Sequence, residues 1–316
     1  MFGLPVRLLR PLVVMLVFPL AWSAAPRLGW PRLWQRRLGG KSRAAGAAPP
    51  LEAFSQETLT HSLRELGLGP GEVVLVHASL RRVGAMADGV ATLVAALREA
   101  VGEEGTIVVP TFTSWNSDTS RIYRARVSGM GRIRGRLYRW TIPAYEAATS
   151  SSIECGRLSE HVRLLPGAVR SDHPQTSFAA VGPQARRLMA DHMLESHLGE
   201  ESPLAKLFDA KAKVLLLGVG FDKCTGFHLA EYRYDPRPPA AEYGCAMRID
   251  GRRTWRRYND VVLDDSDFHK CGRDMEQAVF MEYGQVGNAE SRLFSLVEAV
   301  QHAEGWMRNH RRHPRT

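Results

Sequence analysis

Apolar positions along the chain fall into two kinds of run. Unbroken stretches of β-branched residues and leucine stand from Val73 to Val76, from Thr106 to Pro110 and from Val214 to Leu217. Strands covered on both faces look like this, because neither face needs polar positions. Other stretches repeat at helical spacing: Leu59, Leu63 and Leu66 between Ser55 and Leu66, closed by Gly67 and Gly69, and the apolar set from Val90 to Val101. A strand, helix, strand order predicts a right-handed crossover and parallel pairing. The expected architecture is therefore α/β, a layered α/β/α fold with a largely parallel central sheet. From Asn116 to Glu154 the chain turns polar, arginine-rich and weakly periodic, which reads as an inserted segment on the substrate side.

Charge changes that picture at the ends only. The formal net charge is +9, but residues 1–50 hold eight Lys and Arg and no acid, which leaves about +1 for the rest. Arg308, Arg311, Arg312 and Arg315 make a second basic end. A body close to neutrality argues against a nucleic-acid-binding domain, whose basic stripe lies on the folded surface. The natural division is a basic extension over residues 1–50 and a folded domain over 51–316. In the extension, Arg7 and Arg10 precede an apolar run from Pro11 to Ala21 and then Ser23, Ala24 and Ala25. That layout fits an export signal, a membrane-surface contact through residues 1–40, or a disordered or over-long start. The run is short for a membrane span. Four widely spaced cysteines, with no CxxC pair, suggest free thiols and no zinc site.

Three blocks carry chemistry. In RSDHPQTSFAAVGPQA, from Arg170 to Ala185, Pro174 holds His173 out of a helix, and a fixed imidazole titrating near neutrality suits a general base. Ser177 follows as a donor for a developing oxyanion. In HASL, His77, Ala78, Ser79 and Leu80 leave a strand through small residues, with Arg81 and Arg82 placed to meet phosphates. In the block from Asp222 to Arg233, His228 and Glu231 stand three apart and share a face if helical. Glu231 or Asp172 would orient the imidazole of His173. Asp264, Asp265 and Asp267 read as a solvated loop or as an attractor for a cation.

In this order and spacing, VVLVHASLRRVG, RSDHPQTSFAAVG, GEESPLAKLF, KVLLLGVGFDKCTGFHLAEYR and DDSDFHKCGRDME resemble the aminoglycoside 3-N-acetyltransferase family, from about Leu51 to Trp306. The resemblance implies an acetyl-CoA-dependent N-acetyltransferase of antibiotic resistance, needing no metal and acting on an aminoglycoside. It also implies that His77, Ala78, Ser79, Leu80 and Ser177 serve the coenzyme, and that Asp222, His228 and Glu231 serve the acceptor. His173 and Glu231 would be catalytic, without an acyl-enzyme. Since acetyl-CoA is cytosolic, a cytoplasmic location is implied. Cys224 stands where the family usually has a small polar residue. Many arginines between Asn116 and Glu154 point to a second reading, the same chemistry on another amino sugar or biosynthetic amine. A third is a non-catalytic, membrane-associated binding protein that keeps the fold. No GxSxG elbow is present for hydrolase chemistry.

Overall fold

A computed structural model describes residues 53–311. The unbroken apolar runs form the middle of a seven-stranded sheet. Strand β1 (Val73–Ala78) pairs in parallel with β2 (Thr106–Pro110) on one side and β5 (Lys213–Leu217) on the other. The crossover between β1 and β2 carries helices α2 (Leu80–Val83) and α3 (Val90–Val101). Outside this parallel centre the pairing changes sense. Strands β3 (Val169–Arg170) and β4 (Phe178–Val181) extend one edge and β8 (Met281–Val286) and β9 (Ala289–Ser295) the other, all through antiparallel ladders. The order is β3-β4-β2-β1-β5-β9-β8.

The two faces of each central strand feed two cores. Val74, Val76, Ile107, Val109, Leu215 and Leu217 pack against helix α1 (Gln56–Glu65), α3 and α6 (Arg157–Arg163). Leu75, Val108, Val214 and Leu216 pack on the opposite face. That face is covered by α7 (Ala185–Met189), α8 (Pro203–Asp209), α9 (Phe227–Arg233), α10 (Phe268–Ala278) and α11 (Leu296–His310). Burial on both sides is why the runs lack alternation.

The inserted segment folds with a long hairpin, β6 (Ala240–Ile249) and β7 (Arg252–Val261). It supplies α4 (Arg121–Val127) and α5 (Arg132–Thr141). Asn116 ties the two parts together: its Nδ2 donates to the Ala246 carbonyl and its Oδ1 accepts from the Ala246 N–H, both at 2.8 Å. One side chain thereby replaces a ladder rung at the edge of β6. Tyr123, Ile142 and Ala246 form a small core of their own. Cys155, Cys224, Cys245 and Cys271 are free. Residues 1–50 and the end of the basic tail lie outside the described residues. Among the described residues no helix is long and apolar enough to cross a membrane.

Candidate active site

Parallel strands β1 and β5 end side by side, with His77 opposite Leu216 and Ala78 opposite Leu217. Their exit loops share one edge of the sheet, the usual place for a ligand in an open α/β sheet. From β1 the chain passes through Ser79, whose N–H donates to the Leu217 carbonyl at 2.9 Å, into the single turn α2. From β5 it passes through Gly218, which takes a left-handed φ of +60°; a Cβ there would come within 2.7 Å of the Arg82 Cβ. Glycine at 218 therefore lets Arg82 lie against the Gly-Val-Gly turn. Arg82, Gly218, Val219, Gly220, Asn288, Glu290 and Arg292 line a pocket of about 370 Å³. Of its two guanidinium groups, Arg292 is paired with Glu276 at 2.9 Å. Arg82 has no ion-pair partner among the described residues.

Helix α9 begins a few residues after β5 and places His228 and Glu231 one turn apart on a common face. His228 Nδ1 donates to Glu231 Oε2 at 2.6 Å. This leaves Nε2 as the ring's lone-pair nitrogen. It has no hydrogen-bond partner among the described residues, and the side chain keeps 14% of its exposure. Glu231 itself is fully buried. Its other oxygen accepts from the Asp264 N–H at 3.0 Å and from an Arg311 nitrogen at 2.5 Å. Arg311 also donates to both oxygens of Asp267 and to the Asp264 carbonyl. Burial works against the Arg311 charge, but Asp267 and Glu231 outweigh it and push its pKa up. Removing one member of such a buried network strands the other's charge, at a cost of about 3–5 kcal/mol. Arg311→Leu should therefore lower the melting temperature and kcat together, with Arg311→Lys recovering part of each; unchanged values in both assays would show that Glu231 needs no counter-ion.

His77 lies beneath, at the end of β1. Burial, then the neighbouring His228, lowers its pKa to about 4, so it is neutral at ordinary pH. Its Nε2 is buried without a hydrogen-bond partner among the described residues. Ala78 and Leu80 shape this loop through their backbones. Asp222 is exposed and lies 3.1 Å from the Lys223 ammonium, on the turn between β5 and α9.

The other residues read from sequence lie elsewhere. His173 sits between β3 and β4, fully buried, and both of its nitrogens are engaged. Nδ1 accepts from the Gln175 and Thr176 N–H groups at 3.1 Å, and Nε2 donates to the Leu194 carbonyl at 3.2 Å. No hydrogen bond joins it to Asp172 or Glu231. Its ring lies 4.6 Å from that of His192 and 4.9 Å from that of His197. Burial, with these two histidines, lowers its pKa well below the usual value. Ser177 is also sealed: its hydroxyl donates to the Thr111 carbonyl at 2.9 Å and accepts from Arg170 Nε at 3.0 Å.

Four residues of these sites escaped sequence reasoning. Arg311 counted as part of a solvated basic tail, and only its burial against two carboxylates gives it a role. His192 and His197 lie in a stretch without periodicity. Tyr258, on β7, donates to Gln175 Oε1 at 2.5 Å and closes the histidine cluster from the hairpin side. Among the described residues no group of three or more His, Cys, Asp or Glu is arranged to hold a metal ion.

A layered α/β fold thus brings a pocket lined by guanidinium groups to the ends of its parallel strands and, on the helix that follows β5, a histidine braced by a buried carboxylate. The chain belongs to the aminoglycoside 3-N-acetyltransferase family, whose model matches residues 75–308. It is 38% identical over 256 residues to the SPbeta prophage-derived aminoglycoside N(3')-acetyltransferase-like protein YokD of Bacillus subtilis (strain 168), covering 81% of this chain and 93% of the relative. Its fold matches that of AAC-IIIb, solved as a binary complex with CoASH, with a TM-score of 0.73 and 29% identity over 83% of this chain and all of that one. It also matches AAC-VIa bound to sisomicin, with a TM-score of 0.71 and 29% identity over 81% and 98% of the two chains.

Proposed function

We propose that this protein transfers an acetyl group from acetyl-CoA to an amino group of an aminoglycoside, with His228 as the general base and Glu231 as the group that orients it. The observation that carries this reading is the open Nε2 of a histidine whose Nδ1 is held by a buried carboxylate. The resulting tautomer can take a proton from an attacking amine and return it to a leaving thiolate. This moves the base from His173, whose lone pair is already used, to His228. Glu231 accepts the Nδ1–H and orients the ring, while Arg311 and the Asp264 N–H hold the carboxylate in place.

The pocket beside Gly218 fits the anionic end of the coenzyme. Arg82 is free to pair with a phosphate, Arg292 adds positive charge, and glycine lets the backbone approach closely. The coenzyme, when bound, supplies an activated acetyl thioester. With both substrates held side by side, orientation supplies much of the rate and no acyl-enzyme is needed. Cys224 is fully buried with its pKa pushed up to about 12, so it is no nucleophile at neutral pH. On the acceptor side, exposed Asp222, Asp264 and Asp265 suit a polycation. That AAC-VIa was solved with sisomicin bound supports an acceptor of this class.

Arg82→Ala should raise KM for acetyl-CoA by roughly 10- to 100-fold, the usual worth of a charge-assisted contact, with kcat nearly unchanged. A KM equal to that of the unaltered chain would move the phosphate site elsewhere. The reading as a whole is tested by acetyl-CoA-dependent thiol release against aminoglycosides and simple amino sugars. Release with an aminoglycoside is expected. Release with amino sugars alone would make the acceptor a smaller amine, and no release at all would overturn the assignment.

A further inference from the structure

Helix α5 turns its apolar side away from the protein. Gly135, Tyr138 and Arg139 face the body, with the Arg139 guanidinium 5.7 Å from the Trp255 ring, and the helix buries no side chain fully. Ile133, Leu137 and Trp140 recur at i, i+4 and i+7 on the outer side and are 76%, 59% and 78% exposed. Arg132, Arg134 and Arg136 stand around them, all exposed. A soluble protein ordinarily buries such a stripe.

We infer that α5 lies on the surface of an anionic lipid bilayer, its apolar stripe at the level of the acyl-chain boundary and its arginines among the headgroup phosphates. Three large apolar residues in a row, one of them tryptophan, flanked by basic residues, have the composition of an interfacial helix. Charge selects the occupant. Helix α5 itself carries no acid, and Arg132, Arg134 and Arg136 are exposed around the stripe, so a symmetric contact with a second copy would set arginine against arginine. A lipid surface of phosphate groups removes that repulsion and gains from the exposed guanidinium groups of Arg132, Arg134 and Arg136. The inference is independent of the catalytic assignment, because nothing in it involves His228 or the coenzyme pocket.

Flotation of the full chain with vesicles tests it. Binding is expected to mixed phosphatidylglycerol and phosphatidylcholine vesicles and not to phosphatidylcholine alone. The triple variant Ile133→Ser, Leu137→Ser, Trp140→Ser should bind at least ~10-fold more weakly, with its melting temperature unchanged because α5 buries no side chain fully. Should that variant misfold, Arg132→Gln, Arg134→Gln, Arg136→Gln removes the anion dependence and leaves the apolar face intact. Failure of the unaltered chain to float, or undiminished flotation of both variants, overturns the inference. So does a dimer in sedimentation velocity that the first variant dissociates, with no vesicle binding: that result gives the face to a second copy.

Discussion

Replacing His228 by alanine is expected to lower kcat for acetyl transfer by roughly 10²–10⁴, the usual share of a general base, with little change in the affinity for acetyl-CoA. From sequence this role falls to His173, with His228 placed on the acceptor side, and the structure gives the two opposite surroundings. His228 keeps one nitrogen on a carboxylate and the other open; His173 has both nitrogens inside a sealed cluster. The two substitutions should therefore fail differently. His173→Ala removes the acceptor for the Gln175 and Thr176 N–H groups and opens a cavity against His192, so it should cost stability first, on the order of 2–5 kcal/mol. The comparison needs kcat at saturating substrates and a melting curve for each variant. A His228→Ala protein with normal turnover, beside a stable His173→Ala protein without any, would return the base to His173.

A steep loss of stability in mild acid is the second large effect. His77, His173 and His192 are all held neutral by burial, His77 with a pKa of about 4 and His192 of about 3. Above about pH 6.5 these histidines are neutral in the folded and unfolded chains alike, and they leave stability independent of pH. Below it the unfolded chain takes up protons that the folded chain refuses, so stability falls as pH falls, until the folded-state pKa of each is passed. Each buried histidine contributes roughly 1.4 kcal/mol per pH unit in that window. Three of them remove several kcal/mol between pH 7 and pH 5, a large part of what a domain has. Urea unfolding at the two pH values measures this directly. Equal stabilities would mean that water reaches these rings and lets them charge in the folded state.

What the chain reveals before folding differs between its parts, for physical reasons. The three central strands are legible because burial on both faces removes every polar position from them, and their parallel pairing follows from the helical crossover between them. The flanking antiparallel strands are less so: β9, one strand in from the edge, reads AESRLFS, with Glu290 exposed and Arg292 half-buried, so polar positions interrupt its apolar run. Among candidate groups, His228 and Glu231 are recognisable because a helical i, i+3 pair is local. The choice between His173 and His228 is not local. It is decided by which ring the segment holding His192 and His197 covers, and by where Tyr258 of the hairpin comes to rest. The surroundings of Ser177 are hidden for the same reason, since Arg170 and Thr111, which claim its hydroxyl, are remote or non-periodic in sequence. In the arginine-rich insertion, the sequence shows the charge; that the apolar stripe of α5 points outward emerges only once Tyr138 is seen against the hairpin.

Arg311 gives the site a dependence on synthesis. Glu231 lies in the middle of the chain, while the guanidinium that neutralises it arrives 80 residues later, just past α11. A nascent chain released before residue 311 would hold the central sheet, the pocket beside Gly218 and both His228 and Glu231, yet the Glu231 carboxylate would be without its cation. Late frameshifts and premature stops upstream of that codon should therefore behave as null alleles, although almost the whole fold has already been translated.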